Sequence, residues 1–141
     1  MGEAYTGMDV VFDTGSDWLV VEGFGCSTCE GNTFNGDLSG TQVGSAVSER
    51  LYGSASLEGI EYKDKVCLYF SQCINDFEYF LISKQTGIRE PIDGILGLSR
   101  AKDVFAEDPS RKLGPLYVQY LRNAGLISSN TFSFYMQPYG A

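Results

Sequence analysis

Apolar residues in this chain fall in short runs separated by clusters of Gly, Ser, Thr and Asn, and the period changes from run to run. Val10–Phe12 is continuously apolar and predicts a fully buried strand; "DTGS" after it reads as a turn, and Trp18–Val21 as a second apolar strand. Residues 22–44 are rich in Gly, Ser, Thr and Asn and predict a loop with short extended pieces. Residues 46–52 and 56–68 predict two strands joined through "YGSAS", a hairpin with Gly at its tip. "EYFLIS" predicts a further strand, and "PIDGILGL" is apolar but twice interrupted by Gly. In "GPLYVQYLRNAGLI" the residues Leu116, Tyr120 and Ala124 recur at helical spacing, with Leu113, Tyr117 and Leu121 on adjoining faces. Pro115 suits the first turn of that helix and Gly125 its stop. Phe132, Phe134 and Met136 then alternate as on one face of a strand. These elements add up to a mainly β domain, mostly antiparallel, with one helix near its C-terminal end.

Composition narrows the chemistry. The 141 residues suffice for one domain with a modest core, and no apolar run approaches the length of a membrane span. Acids outnumber bases 18 to 10, a net charge of -8, which disfavours nucleic acid or an anionic membrane as a partner and suits work at low pH. Histidine is absent. That removes Ser-His and Cys-His nucleophile pairs and histidine metal sites, and leaves acid–base work to Asp, Glu, Cys, Lys or Tyr. The four cysteines form two close pairs, Cys26 with Cys29 and Cys67 with Cys73. Two small disulfide loops in an oxidising compartment fit this arrangement. A four-cysteine zinc site is the rival, but the second pair is too widely spaced for a zinc knuckle. A redox "CxxC" needs a strand-to-helix setting that the Gly-rich loop does not offer. The start "MGEAYTGMDV" has no apolar stretch of a secretory signal. No cofactor and no metal are expected.

Four segments in order carry a family resemblance. "VVFDTGS" resembles the active-site signature of pepsin-like aspartic peptidases, and "LYGSASLEG" resembles their flap hairpin. "PIDGILGLS" resembles the segment that crosses beside the active-site loop, and "PLYVQYLRNAGLISSNTFSFYM" the helix and strand that close the N-terminal lobe. Together the segments cover nearly the whole chain. The resemblance implies a pepsin-like acid-protease lobe and an aspartic-type endopeptidase, which cleaves peptide bonds by activating water between two aspartates. Asp13 is then the first catalytic carboxylate, supported by Thr14, Gly15 and Ser16. Gly15 permits the tight turn, the Ser16 hydroxyl is expected to donate to the outer Asp13 oxygen, and Thr14 is expected to lock two lobes together. Tyr52, Gly53 and Ser54 match the flap that closes over substrate, with Gly53 offering backbone hydrogen bonds to an extended peptide. Val11, Ile92 and Ile95 match residues that line the pocket before the scissile bond, though plain core packing explains them nearly as well. Asp93 matches a family acid, for which a turn or capping role is equally open.

The chain also departs from the pattern. Family members often place Trp where Val20 stands, to hydrogen-bond the flap Tyr; here Trp18 lies two residues earlier and shares a strand face with Val20. The Cys67–Cys73 loop is not a general family feature. One Asp-Thr-Gly occurs where the two-lobed family carries a second Asp-Thr/Ser-Gly further on. The expectation is therefore a single domain spanning 1–141, a truncated N-terminal lobe, inactive until joined to the C-terminal lobe of its parent chain. A homodimer bringing two Asp13 side chains together is a less favoured route to the same pair. A secreted or lysosomal or vacuolar location is implied, with peptide or protein as substrate. The alternative is a non-catalytic pepsin-like module that binds peptides or inhibits other enzymes.

Overall fold

The computed structural model describes residues 1–110 and 112–140. Its strands are β1 (Val10–Asp13), β2 (Leu19–Glu22), β3 (Thr41–Gln42), β4 (Ser48–Leu51), β5 (Ser56–Tyr69), β6 (Gln72–Thr86) and β7 (Gly94–Gly97), followed by helices α1 (Ala101–Glu107) and α2 (Tyr117–Asn123). They form one seven-stranded sheet in the order β1-β7-β2-β6-β5-β3, with β4 paired to β5. Most pairings are antiparallel; β1 with β7 and β2 with β6 are parallel.

The period of two in β2 explains the core. Leu19 and Val21 face one apolar cluster with Phe34, Phe77, Tyr79 and Tyr117. Trp18 and Val20 face another with Leu57, Phe80, Ile82 and Ile88. A strand covered on both faces reads as a continuous apolar run, as this one does. The long β5–β6 hairpin crosses both clusters, and the Cys67–Cys73 disulfide lies at its far end. The second disulfide joins Cys26 to Cys29. No free cysteine remains, so the zinc alternative falls away.

Backbone crowding explains the two glycines of "GILG". β7 is wedged between β1 and β2, and a Cβ on Gly94 would lie 2.1 Å from the Val20 carbonyl oxygen. A Cβ on Gly97 would lie 2.5 Å from the Asp17 carbonyl carbon. The segment can sit this deep only without side chains at those two positions.

Several expectations change. β1 is not fully buried: Val11 is 42 % and Phe12 50 % exposed, because β1 is the edge strand of the sheet. The hairpin's first strand begins at Ser48 rather than Ala46. There are two helices rather than one; α1, with Val104 as its buried residue, has too few apolar positions to show a period. Pro115 precedes α2 instead of standing in its first turn, since Leu116 is the cap. Tyr117 and Leu121 are the buried face of α2, while Tyr120 is 39 % exposed. The alternating segment with Phe132, Phe134 and Met136 is not a strand among the described residues, where no strand pairs with it. All three side chains are exposed, and Phe134 leans on Phe12 with ring centroids 6.3 Å apart.

Candidate active site

Asp13 ends β1, and the loop after it is stapled to β7. The Leu98 amide donates to the Asp13 carbonyl (2.7 Å), the Gly97 amide to the Trp18 carbonyl (2.9 Å) and the Ser99 amide to the Ser16 carbonyl (2.9 Å). The loop therefore has a fixed floor. Within it the Gly15 amide donates to Asp13 Oδ1 at 2.9 Å, so the turn presents a donor to the carboxylate. Thr14 and Gly15 are exposed; Ser16 is buried. The expected Ser16–Asp13 bond is not formed: the buried Ser16 hydroxyl lies beside the Tyr52 phenol instead. Asp17 is buried too, and its Oδ2 accepts from the Gly114 amide at 2.6 Å, tying the loop to the approach of α2.

The β4–β5 hairpin stands over this loop. Its turn is closed by the Tyr52 amide donating to the Ala55 carbonyl (2.8 Å). Gly53 and Ser54 are exposed at the tip, and a Cβ on Gly53 would meet nothing. Tyr52 packs down against the cluster that holds Trp18 and Phe80. Burial, then the charges of Asp17 and Asp13, push its phenol up to about 12, against smaller opposing effects of Ser16 and Arg50. Between hairpin and sheet runs a cleft of about 430 Å³ lined by Val11, Asp13, Tyr52, Gly53, Ser54, Ala55, Gly87, Ile88, Ile92 and Ile95. The fold thus brings Asp13, the three hairpin-tip residues and Val11, Ile92 and Ile95 to one cavity. On the other side of Asp13 a second cavity, about 670 Å³, is lined by Gly15, Ser16, Arg50, Leu51, Tyr52, Gly53 and the acids Glu49, Glu107 and Asp108.

Sequence reading missed what supports the apolar wall. Asp93 is buried and accepts from the Asp9 amide (2.7 Å), the Asn32 amide (2.6 Å) and Asn32 Nδ2 (3.3 Å), so it joins two loops rather than capping a turn. Glu22 is fully buried and accepts from the Gly31 amide (2.8 Å) and Gln85 Nε2 (3.2 Å). Gln85 in turn exchanges hydrogen bonds with the Ile88 backbone, fixing a residue of the cleft. Burial raises the Glu22 pKa, opposed by the Gly31 and Glu30 amides and reinforced by the neighbouring Asp93 and Glu30 charges. Its one sequence signal is position: Glu22 shares a strand face with Val20. Among the described residues no group of His, Cys, Asp or Glu could hold a metal, and no helix is long and apolar enough to cross a membrane.

An aspartate loop floored by a glycine-rich strand and roofed by a hairpin, on a mainly β sheet, defines an acid-protease lobe. The chain belongs to the family described as eukaryotic aspartyl protease, whose model matches residues 1–141. Among solved structures it is similar to the aspartic proteinase from Irpex lacteus, at 26 % identity and a TM-score of 0.68. That match covers 92 % of this chain and spans 36 % of the other. No curated protein matches. Family and disulfides are consistent with a secreted or lysosomal location.

Proposed function

We propose that residues 1–141 act as the N-terminal lobe of an aspartic endopeptidase and supply its first carboxylate, Asp13. The observation that supports this best is the shared cleft, in which Asp13, the Gly53 backbone and an apolar wall face one space. Peptide hydrolysis by this route needs a carboxylate to activate water and an acid to protonate the leaving amine. Two neighbouring carboxyl groups sharing one proton supply both, the behaviour for which aspartic proteases are the standing example. The second carboxyl group comes, in this reading, from a C-terminal lobe of the parent chain, with Thr14 at the junction between lobes. The 141-residue chain alone is then inactive. Substrate is an extended peptide added along the hairpin through the Gly53 backbone, with a bulky apolar side chain against Val11, Ile92 and Ile95. Work in a secreted or acidic lysosomal or vacuolar setting follows.

The test is cleavage of an apolar peptide at acid pH by the chain alone and by the chain joined to a second Asp-bearing lobe. Only the joined form is expected to cut, with sensitivity to pepstatin. Asp13→Asn should lower its kcat by roughly 10²–10⁴-fold. Cleavage that survives Asp13→Ala would overturn the assignment.

A further inference from the structure

The hairpin over Asp13 has a support that lies outside the cleft's apolar wall. Along β4 the side chains alternate, so Ser48 and Arg50 point inward while Glu49 and Leu51 are exposed. Tyr52 continues the inward face. Arg50 therefore stands beside Tyr52 on the same aromatic platform. Its guanidinium lies 4.6 Å from the Trp18 ring centroid and 4.7 Å from that of Phe80. The edges of the fork are bonded: one terminal nitrogen to Ser48 Oγ (3.1 Å) and the Glu49 carbonyl (3.1 Å), the other to Glu61 Oε1 (2.9 Å). Nε is buried without a hydrogen-bond partner, so what holds that part of the group is the ring faces. A planar cation can stack and bond in its own plane at once; an ammonium cannot.

We infer that Arg50 is a positioning residue for the hairpin, which by clamping the β4 strand to Trp18, Phe80 and Glu61 holds Tyr52 over the Asp13 loop. The clamp connects the three elements that must stay in register for a cleft to exist. Trp18 follows the Asp13 loop, Arg50 precedes the hairpin tip, and Phe80 and Glu61 lie on the β6 and β5 strands behind both. The inference rests on reading the hairpin as the roof of a peptide cleft, but its geometry is testable without substrate.

The experiment compares wild type, Arg50→Met, Arg50→Lys and Glu61→Gln in the 141-residue chain. Trp18 is the sole tryptophan, so its emission reports the clamp directly. Arg50→Met should change Trp18 emission, and should speed exchange of the Tyr52 amide, which closes the hairpin turn, by roughly tenfold, between the strengths of an exposed and a desolvated cation–π contact. Exchange in the β5–β6 core should stay put. Arg50→Lys, which keeps charge but loses the fork, should restore only part of the protection. Should Arg50→Met fail to fold, Glu61→Gln removes the charge of one arm, which Lys112 shares, and should give a smaller change at the same amide. Unchanged emission with unchanged exchange at the tip, in whichever of these variants folds, overturns the inference. Loss of cleavage on mutating Asp13 has no bearing on these readouts, so the two readings fail separately.

Discussion

The protein holds two groups of withdrawn acids and treats them in opposite ways. Glu22 and Asp93 are buried beside each other with backbone amides and side-chain amides for partners and, among the described residues, no cation within either hydrogen-bond set. Glu61 and Glu78 lie partly covered behind the hairpin and share Lys112, while Glu61 also pairs with Arg50. The difference appears in protonation. Burial and neighbouring acids lift Glu22 above its ordinary 4.5. Burial also pushes Glu61 upward, but the Lys112 hydrogen bond and charge, with Arg50, hold it below 4.5. Hydrogen bonds from amides can satisfy a carboxylate's geometry without neutralising its charge, whereas a cation does both.

The sharpest way to break this comparison is Asp93→Ala. It would leave the Asp9 and Asn32 amides without their acceptor in a covered site, and should cost about 3–5 kcal/mol in urea unfolding. A loss under about 1 kcal/mol would mean the amides find water and the group is not structural. Next comes pH. A carboxyl raised in the folded state binds its proton more tightly there than in the unfolded chain. The stability linked to Glu22 is therefore fully present below its ordinary 4.5 and is lost as pH rises through the raised value. Glu61 has the reverse sign: its contribution is present above 4.5 and lost as pH falls through the lowered value. Melting temperatures against pH should show Glu22→Gln flattening the loss toward neutrality and Glu61→Gln flattening the loss toward acid. The same slope in both variants would erase the distinction. The smallest effect belongs to Lys112→Met, since its side chain is 66 % exposed. About 0.5 kcal/mol or less is expected, shrinking further in salt.

Which parts were legible in the sequence follows from the range of the interactions. The Asp13 turn, the hairpin with its Gly tip and both disulfide pairs are local, and each was written in a stretch of a few residues. The two interruptions in "GILG" were visible as a pattern, but their reason, the Val20 and Asp17 backbones pressed against them, required the sheet order. Nothing in the linear pattern singles out Arg50 or Glu22. What makes them special is 11 residues away for Glu61 and 63 for Gln85, distances over which no spacing rule operates.

By itself, then, the sequence determined the local chemistry: a carboxylate followed by a turn that offers it an amide, a glycine-tipped hairpin, and an acid–base repertoire without histidine. Tertiary structure alone decided how exposed β1 is, that Phe132, Phe134 and Met136 form no strand, and that Ser16 leaves Asp13 Oδ1 to the Gly15 amide. It also decided that one acid group has cations among its partners and, among the described residues, the other has amides alone. The physical reason is that exposure and electrostatic surroundings are set by neighbours brought in from distant strands, and a linear pattern carries the faces of an element but not what comes to lie against them.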